Sequence, residues 1–275
     1  MPSFQKRAYR GETLGALGLV TRRGRLERAD CRIFLLALDH GLPSGPVPGI
    51  EKPADFLRSL RGVPFSGVLA NPGMVRFIEG EIPSSSGLVV HLSASTVLGA
   101  RPRSKVLSST VERAVSLGAD AVSVQISFGD SREDTMIADA GRIVDDANSF
   151  GVPVVLMAYA LAEPGAPSVD RGAAAHAARA AAELGASIVQ TNYAADPDGV
   201  REIVRGCPAP VVVAGGPRTS EDAFVETLRA TLGAGAAGTC VGRQIFQAKD
   251  RAAMARRVAQ VIFGATEPLV EEAMR

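Results

Sequence analysis

"VVVAGGPRTSED" occupies residues 211–222. Three valines and an alanine run without a break into two glycines, and a Thr-Ser-Glu-Asp cluster follows. An apolar run this short, with no polar alternation, reads as a parallel strand covered on both faces. The cluster after it reads as a helix start, with a hydroxyl to cap the helix and acids for its first turn. The stretch is therefore one β-to-α unit.

The same unit recurs along the chain. Strand-like runs are predicted at 33–39, 66–70, 87–92, 120–126, 152–159, 187–191, 209–215 and 237–242. The clearest helices between them fall at 108–117, 131–150, 172–184, 219–233 and 249–262. "LGAD" (117–120), "LGAS" (184–187) and "LGAG" (232–235) each place glycine where a helix stops before a strand. Eight such units predict an α/β chain folded as a (β/α)8 TIM barrel. A doubly wound open sheet is the alternative, but the first strand lacks a GxGxxG turn. The expected organisation is an N-terminal helical extension at 1–30, one barrel domain at 31–265 and a tail at 266–275.

Composition narrows the class. The 275 residues are 46% hydrophobic and 21% charged, enough apolar material for a barrel-sized core. The net charge of +1 gives no basic field for a nucleic-acid partner. Three cysteines, Cys31, Cys207 and Cys240, show no metal-type spacing and suit a reducing cytoplasm. The apolar runs are too short to cross a bilayer, and no signal-peptide core stands near the N-terminus.

A barrel carries its chemistry at the C-terminal ends of its strands. Strand 1 ends in "ALDHGLP", which offers Asp39 for proton transfer or for capping the following turn. Strand 3 carries His91, which either orients a substrate or Asp39 or is a packed core histidine. Asp39, His40 and His91 lack a spacing that would fix a metal, so neither metal nor cofactor is expected. Tyr159 ends strand 5, as an acid–base group or an aromatic plug. After strands 7 and 8, Gly215, Gly216, Gly242 and Arg243 suit a phosphate: glycine backbone closes on an anion and arginine adds a charged contact. Tight turns alone would also account for the glycines.

These segments resemble the DeoC/FbaB aldolase family. The resemblance runs from about residue 27 to 262 through "LALDHGLPSGP", "VVHLSAST", "SSTVERAVSLGADAVSV", "GVPVVLMAY", "AAHAARAAAELGASIV", "CPAPVVVAGGPRT" and "GAAGTCVGRQIFQAKD". It implies a barrel, a homo-oligomer and a phosphorylated substrate. It also implies a proton-transfer role for Tyr159, matches Asp39 to the family's strand-1 aspartate, and gives the glycine loops and Arg243 to phosphate.

The resemblance places a Schiff-base lysine at the end of strand 6, in a pattern like V-K-T-x-Y. Here that segment reads "IVQTNY", with Gln190 at the lysine's place. Further departures are "ANPG" (70–73), Gln125 with Ser127, and "ALA" after Tyr159. An amide has no nucleophilic amine and only donates and accepts hydrogen bonds. The expected function is thus aldolase-type carbon–carbon chemistry without an imine at 190. A cofactor-free isomerase and a non-catalytic phosphometabolite binder are the alternatives. Of the four lysines, Lys6, Lys52, Lys105 and Lys249, Lys52 and Lys105 fall on the catalytic side and are candidates for a relocated amine.

Overall fold

The computed structural model describes residues 14–27, 31–162, 169–192 and 196–264. The expected tail at 266–275, part of the extension at 1–30, and Tyr193 of the "IVQTNY" pattern lie outside them.

The expected barrel is present. Its strands are β1 (Ile33–Ala37), β2 (Gly67–Ala70), β3 (Gly87–His91), β4 (Ala121–Phe128), β5 (Val154–Ala160), β6 (Ile188–Thr191), β7 (Val211–Ala214) and β8 (Gly238–Val241). They form a closed barrel in which sequence neighbours pair and β8 returns to β1. Every pairing around it is parallel, with Leu36 opposite Val241 where the barrel closes. Closure leaves no edge strand exposed.

Alternation along each strand divides the core. Inward-facing Ile33, Leu35, Leu69, Val89, Val155, Met157, Ile188 and Val212 fill the barrel. Outward-facing residues pack on the helices in two further clusters. Helices start where short polar side chains cap them: Thr110, Asp170, Asp196, Ser220 and Asp250 each accept a backbone N–H three residues on. The "TSED" signal is therefore used from Ser220, one residue after its first letter. Gly118 of LGAD, Gly185 of LGAS and Gly235, the last letter of LGAG, have φ of 82°, 102° and 106°, as a stop after a helix requires, while Gly233 is still helical.

The extension contributes a helix, Leu14–Leu26, whose last residue is fully buried among the inward-facing side chains. Leu26 reaches the first residues of β2 and β3: a Cβ at Gly87 would lie 2.7 Å from its Cδ2. Arg25 donates to Asp120 Oδ1 at 2.9 Å, and Asp120 Oδ2 accepts the Leu88 N–H. This helix plugs the barrel end opposite the candidate site. Among the described residues no helix is long and apolar enough to cross a membrane.

Candidate functional site

The polar groups nominated from sequence gather at the C-terminal ends of the strands. Asp39 follows β1 directly, and Asn71, after β2, donates to its backbone carbonyl at 2.9 Å. The Asp39 carboxylate lies 3.6 Å from His40 Nδ1 and is about one-fifth exposed. Its charge is felt at His40, His91, Lys105, Tyr159 and Cys240, so it is the electrostatic centre of the mouth.

β5 and β6 bring Tyr159 and Gln190 together. Met157 pairs with Gln190 in the ladder, which sets Tyr159 one inward step further along β5. Gln190 is 3% exposed, and its Nε2 donates to the Tyr159 hydroxyl oxygen at 2.6 Å. Gln190 Oε1 is buried with no partner. Burial pushes the Tyr159 phenol well above its ordinary range, and electrostatic coupling to Cys240 and to the Asp39 carboxylate pushes the same way. The Gln190 hydrogen bond and Arg243 pull it back only in part. Tyr159 therefore keeps its proton at neutral pH. With the amide donating into its oxygen, its own O–H is free to donate elsewhere.

His91 is buried and hydrogen-bonded on both ring nitrogens. Its Nδ1 lies 2.8 Å from Ser123 Oγ and its Nε2 lies 3.3 Å from Ser93 Oγ. Desolvation lowers its pKa, Asp39 opposes this, and Lys105 adds to it. A buried neutral imidazole between two hydroxyls braces β3 against β4.

The two candidate lysines separate. Lys52 is exposed, just before a helix at Pro53–Ser59. Lys105 immediately precedes the second strand of a small two-stranded ribbon (Ser93–Ala94 with Val106–Leu107) that sequence reading did not anticipate. Its Nζ donates to Ser95 Oγ at 2.7 Å, and the side chain is half-buried. Desolvation lowers its pKa, with Asp39 opposing.

The glycine loops after β7 and β8 are tied together. Gly215 donates its N–H to the Cys240 carbonyl at 3.1 Å, so that N–H joins strands and does not face a ligand. Gly216 turns the chain at φ 65°. A Cβ at Gly242 would lie 2.5 Å from His40 Cε1 and 2.7 Å from the Ala37 carbonyl oxygen, so only glycine fits. Arg243 is exposed beside it, and its charge reaches both His40 and Tyr159.

Gln244 was not singled out from sequence. It is 2% exposed, and its Nε2 donates to the carbonyls of Gly215 at 3.1 Å and Pro217 at 2.5 Å. It thus locks one loop to the other. Its place two residues after Gly242, just before the apolar pair Ile245–Phe246, was the available signal. Asn192 was also passed over, although it lies two residues beyond Gln190. It donates to the Ala160 carbonyl at 2.9 Å, and its Oδ1 is buried without a partner. No group of His, Cys, Asp and Glu suited to a metal occurs among the described residues.

Fold and site together define a (β/α)8-barrel protein with its polar groups on the strand ends and βα loops, where such barrels carry their chemistry. Residues 33–248 match the family described as DeoC/LacD family aldolase. The chain belongs to that aldolase family.

Its relatives are enzymes. It is 36% identical over 239 residues to 2-amino-4,5-dihydroxy-6-oxo-7-(phosphonooxy)heptanoate synthase of Streptomyces griseus, covering 84% of this chain and 85% of that one. It is 33% identical over 251 residues to 2-amino-3,7-dideoxy-D-threo-hept-6-ulosonate synthase of Halobacterium salinarum, covering 91% and 94%. Among solved structures it matches an archaeal fructose-1,6-bisphosphate aldolase whose catalytic lysine is covalently bound to the carbinolamine intermediate of the substrate. That match has a TM-score of 0.80 at 32% identity and covers 90% of this chain and 100% of the other.

Proposed function

We propose that this protein makes or breaks a carbon–carbon bond in a phosphorylated keto or sugar substrate, with no imine at residue 190. The observation that carries the reading is the buried Gln190–Tyr159 pair at 2.6 Å. An amide offers hydrogen bonds and no nucleophilic nitrogen, so catalysis there is non-covalent.

The residues divide the work by their protonation. Tyr159 holds its proton, so it donates to the oxygen on which negative charge develops. Asp39, an acceptor at the same mouth, takes the proton from carbon. The enolate carbon then attacks an aldehyde carbonyl, and the new alkoxide is protonated as Asp39 gives the proton back. Gly216, Gly242 and Arg243 hold the phosphate, with Gln244 setting the spacing of the two loops. The phosphorylated product in the Streptomyces griseus relative's name and the bisphosphate substrate of the structural relative support this assignment.

Solvent deuterium exchange into dihydroxyacetone phosphate, followed by NMR, tests the reading. Exchange in the wild type supports enolisation by Asp39 and Tyr159. Tight binding without exchange makes the protein a non-catalytic binder.

Lys105 favours one second reading. Its half-buried amine, lowered by desolvation, has the property an imine-forming lysine needs. Borohydride treatment with dihydroxyacetone phosphate and peptide mass analysis decides. A reduced adduct on Lys105 replaces the non-covalent reading, and an unmodified chain supports it. A cytoplasmic homo-oligomer completes the proposal. A particle mass of 28.5 kDa by light scattering would be that of a monomer and would count against the oligomer.

A further inference from the structure

Two buried acceptors stand unpartnered at the end of β6. Gln190 Oε1 belongs to a side chain 3% exposed, and Asn192 Oδ1 lies two residues further along the same chain direction. The orientation of Asn192 is fixed by chemistry: its other amide atom faces the Ala160 carbonyl oxygen at 2.9 Å, and a carbonyl only accepts. The nitrogen of Gln190 is engaged by Tyr159. Two acceptors cannot satisfy one another. A buried acceptor without a donor is destabilising, and such a group in a native fold calls for a missing partner.

We infer that Gln190 Oε1 and Asn192 Oδ1 form a subsite for hydroxyl groups of the substrate, each hydroxyl donating its one proton to one of the two oxygens. This deepens the proposed function and rests on its phosphorylated ligand. The polarity at residue 190 follows directly. A lysine amine at that position would bind the reacting carbonyl itself. Here the free atoms accept, so the carbonyl oxygen turns to the Tyr159 O–H and a neighbouring hydroxyl occupies the space over β6. Residue 190 therefore selects for a hydroxylated carbon beside the ketone, whereas catalysis is left to Asp39 and Tyr159.

The test compares two ligands that share the ketone and the phosphate and differ in one hydroxyl: dihydroxyacetone phosphate and hydroxyacetone phosphate. Titration calorimetry of the full chain should give the hydroxylated ligand a Kd at least about tenfold lower. In whichever of Gln190→Leu and Asn192→Ala removes the acceptor that this hydroxyl uses, that ratio should shrink towards one. The wild-type ratio is read independently of either variant's folding. Equal affinities in the wild type overturn the subsite and leave the phosphate reading intact. A wild-type preference that neither variant changes also overturns it, because the hydroxyl then binds elsewhere. If neither ligand binds and inorganic phosphate also fails to bind, the phosphate reading falls and the subsite falls with it.

Discussion

At residue 190 the side chain is an amide, and that limits what one substitution can restore. Gln190→Lys would set an amine in a buried site beside a phenol, where desolvation keeps part of it neutral. A neutral amine adds to a ketone to give a carbinolamine, which loses water to an iminium. Borohydride trapping with dihydroxyacetone phosphate should therefore label the variant at residue 190 and leave wild-type Gln190 unlabelled, as intact and peptide masses will show. Tyr159→Phe tests the partner. It removes the O–H while keeping the ring, so deuterium exchange into the ligand should fall by about 10²–10⁴-fold. The calorimetric Kd should change much less, because the phosphate loops are untouched. Both residues were legible as strand ends, and parallel β5–β6 pairing at Met157 and Gln190 brings them into contact. Their orphaned acceptor was not legible, since it depends on which amide atom Tyr159 occupies. The His91 partners were hidden for a similar reason. Ser123 lies 32 residues away and reaches the ring only through the β3–β4 register.

At the scale of elements, the loops after β7 and β8 act as one unit because Gln244 spans them. Gln244→Ala removes its two donated hydrogen bonds, to Gly215 and Pro217, and leaves those carbonyls without that donor. Urea denaturation should show a loss of about 1–3 kcal/mol, and phosphate binding should weaken as the loops drift apart. Gly242→Ala acts by overlap, since the new methyl would press on the Ala37 carbonyl and the His40 ring. Backbone on one side leaves little room to yield, so a loss of about 1–3 kcal/mol is expected from the same measurement. The strands were readable because most are short, nearly continuous apolar runs, and the barrel follows from their number and spacing. The helices Pro53–Ser59, Pro72–Ile78 and Pro197–Gly206 were not among the clear ones. Each starts at proline, and the first two have only 7 residues, too few for a helical period to stand out. The ribbon next to Lys105 was missed because its strands are 2 residues each, held by register with no pattern of their own.

Across the whole molecule, the neutral histidines at the mouth tie stability to pH. Desolvation holds both His40 and His91 below the ordinary value of 6.5, with Asp39 opposing in each case. Arg243 adds to the lowering at His40 and Lys105 adds to it at His91. When the folded pKa is the lower one, the unfolded chain binds more protons just below 6.5. Stability is then fully present above that pH and is lost as pH falls towards the folded values. Each fully responding histidine contributes a slope of at most about 1.4 kcal/mol per pH unit. Urea midpoints measured at pH 7.5 and 5.5 should therefore fall on acidification. His91→Gln keeps an amide near Ser123 and removes the titrating ring, so its fall between the same two pH values should be smaller by about 1 kcal/mol. An equal fall in the two proteins would mean that His91 protonates in the fold as easily as in the unfolded chain. The acid sensitivity would then belong to His40 or to carboxylates elsewhere. The same titration separates structure from catalysis. His91 braces two strands and touches no proposed reacting atom, so the pH dependence of deuterium exchange above pH 7 should be the same in His91→Gln as in the wild type.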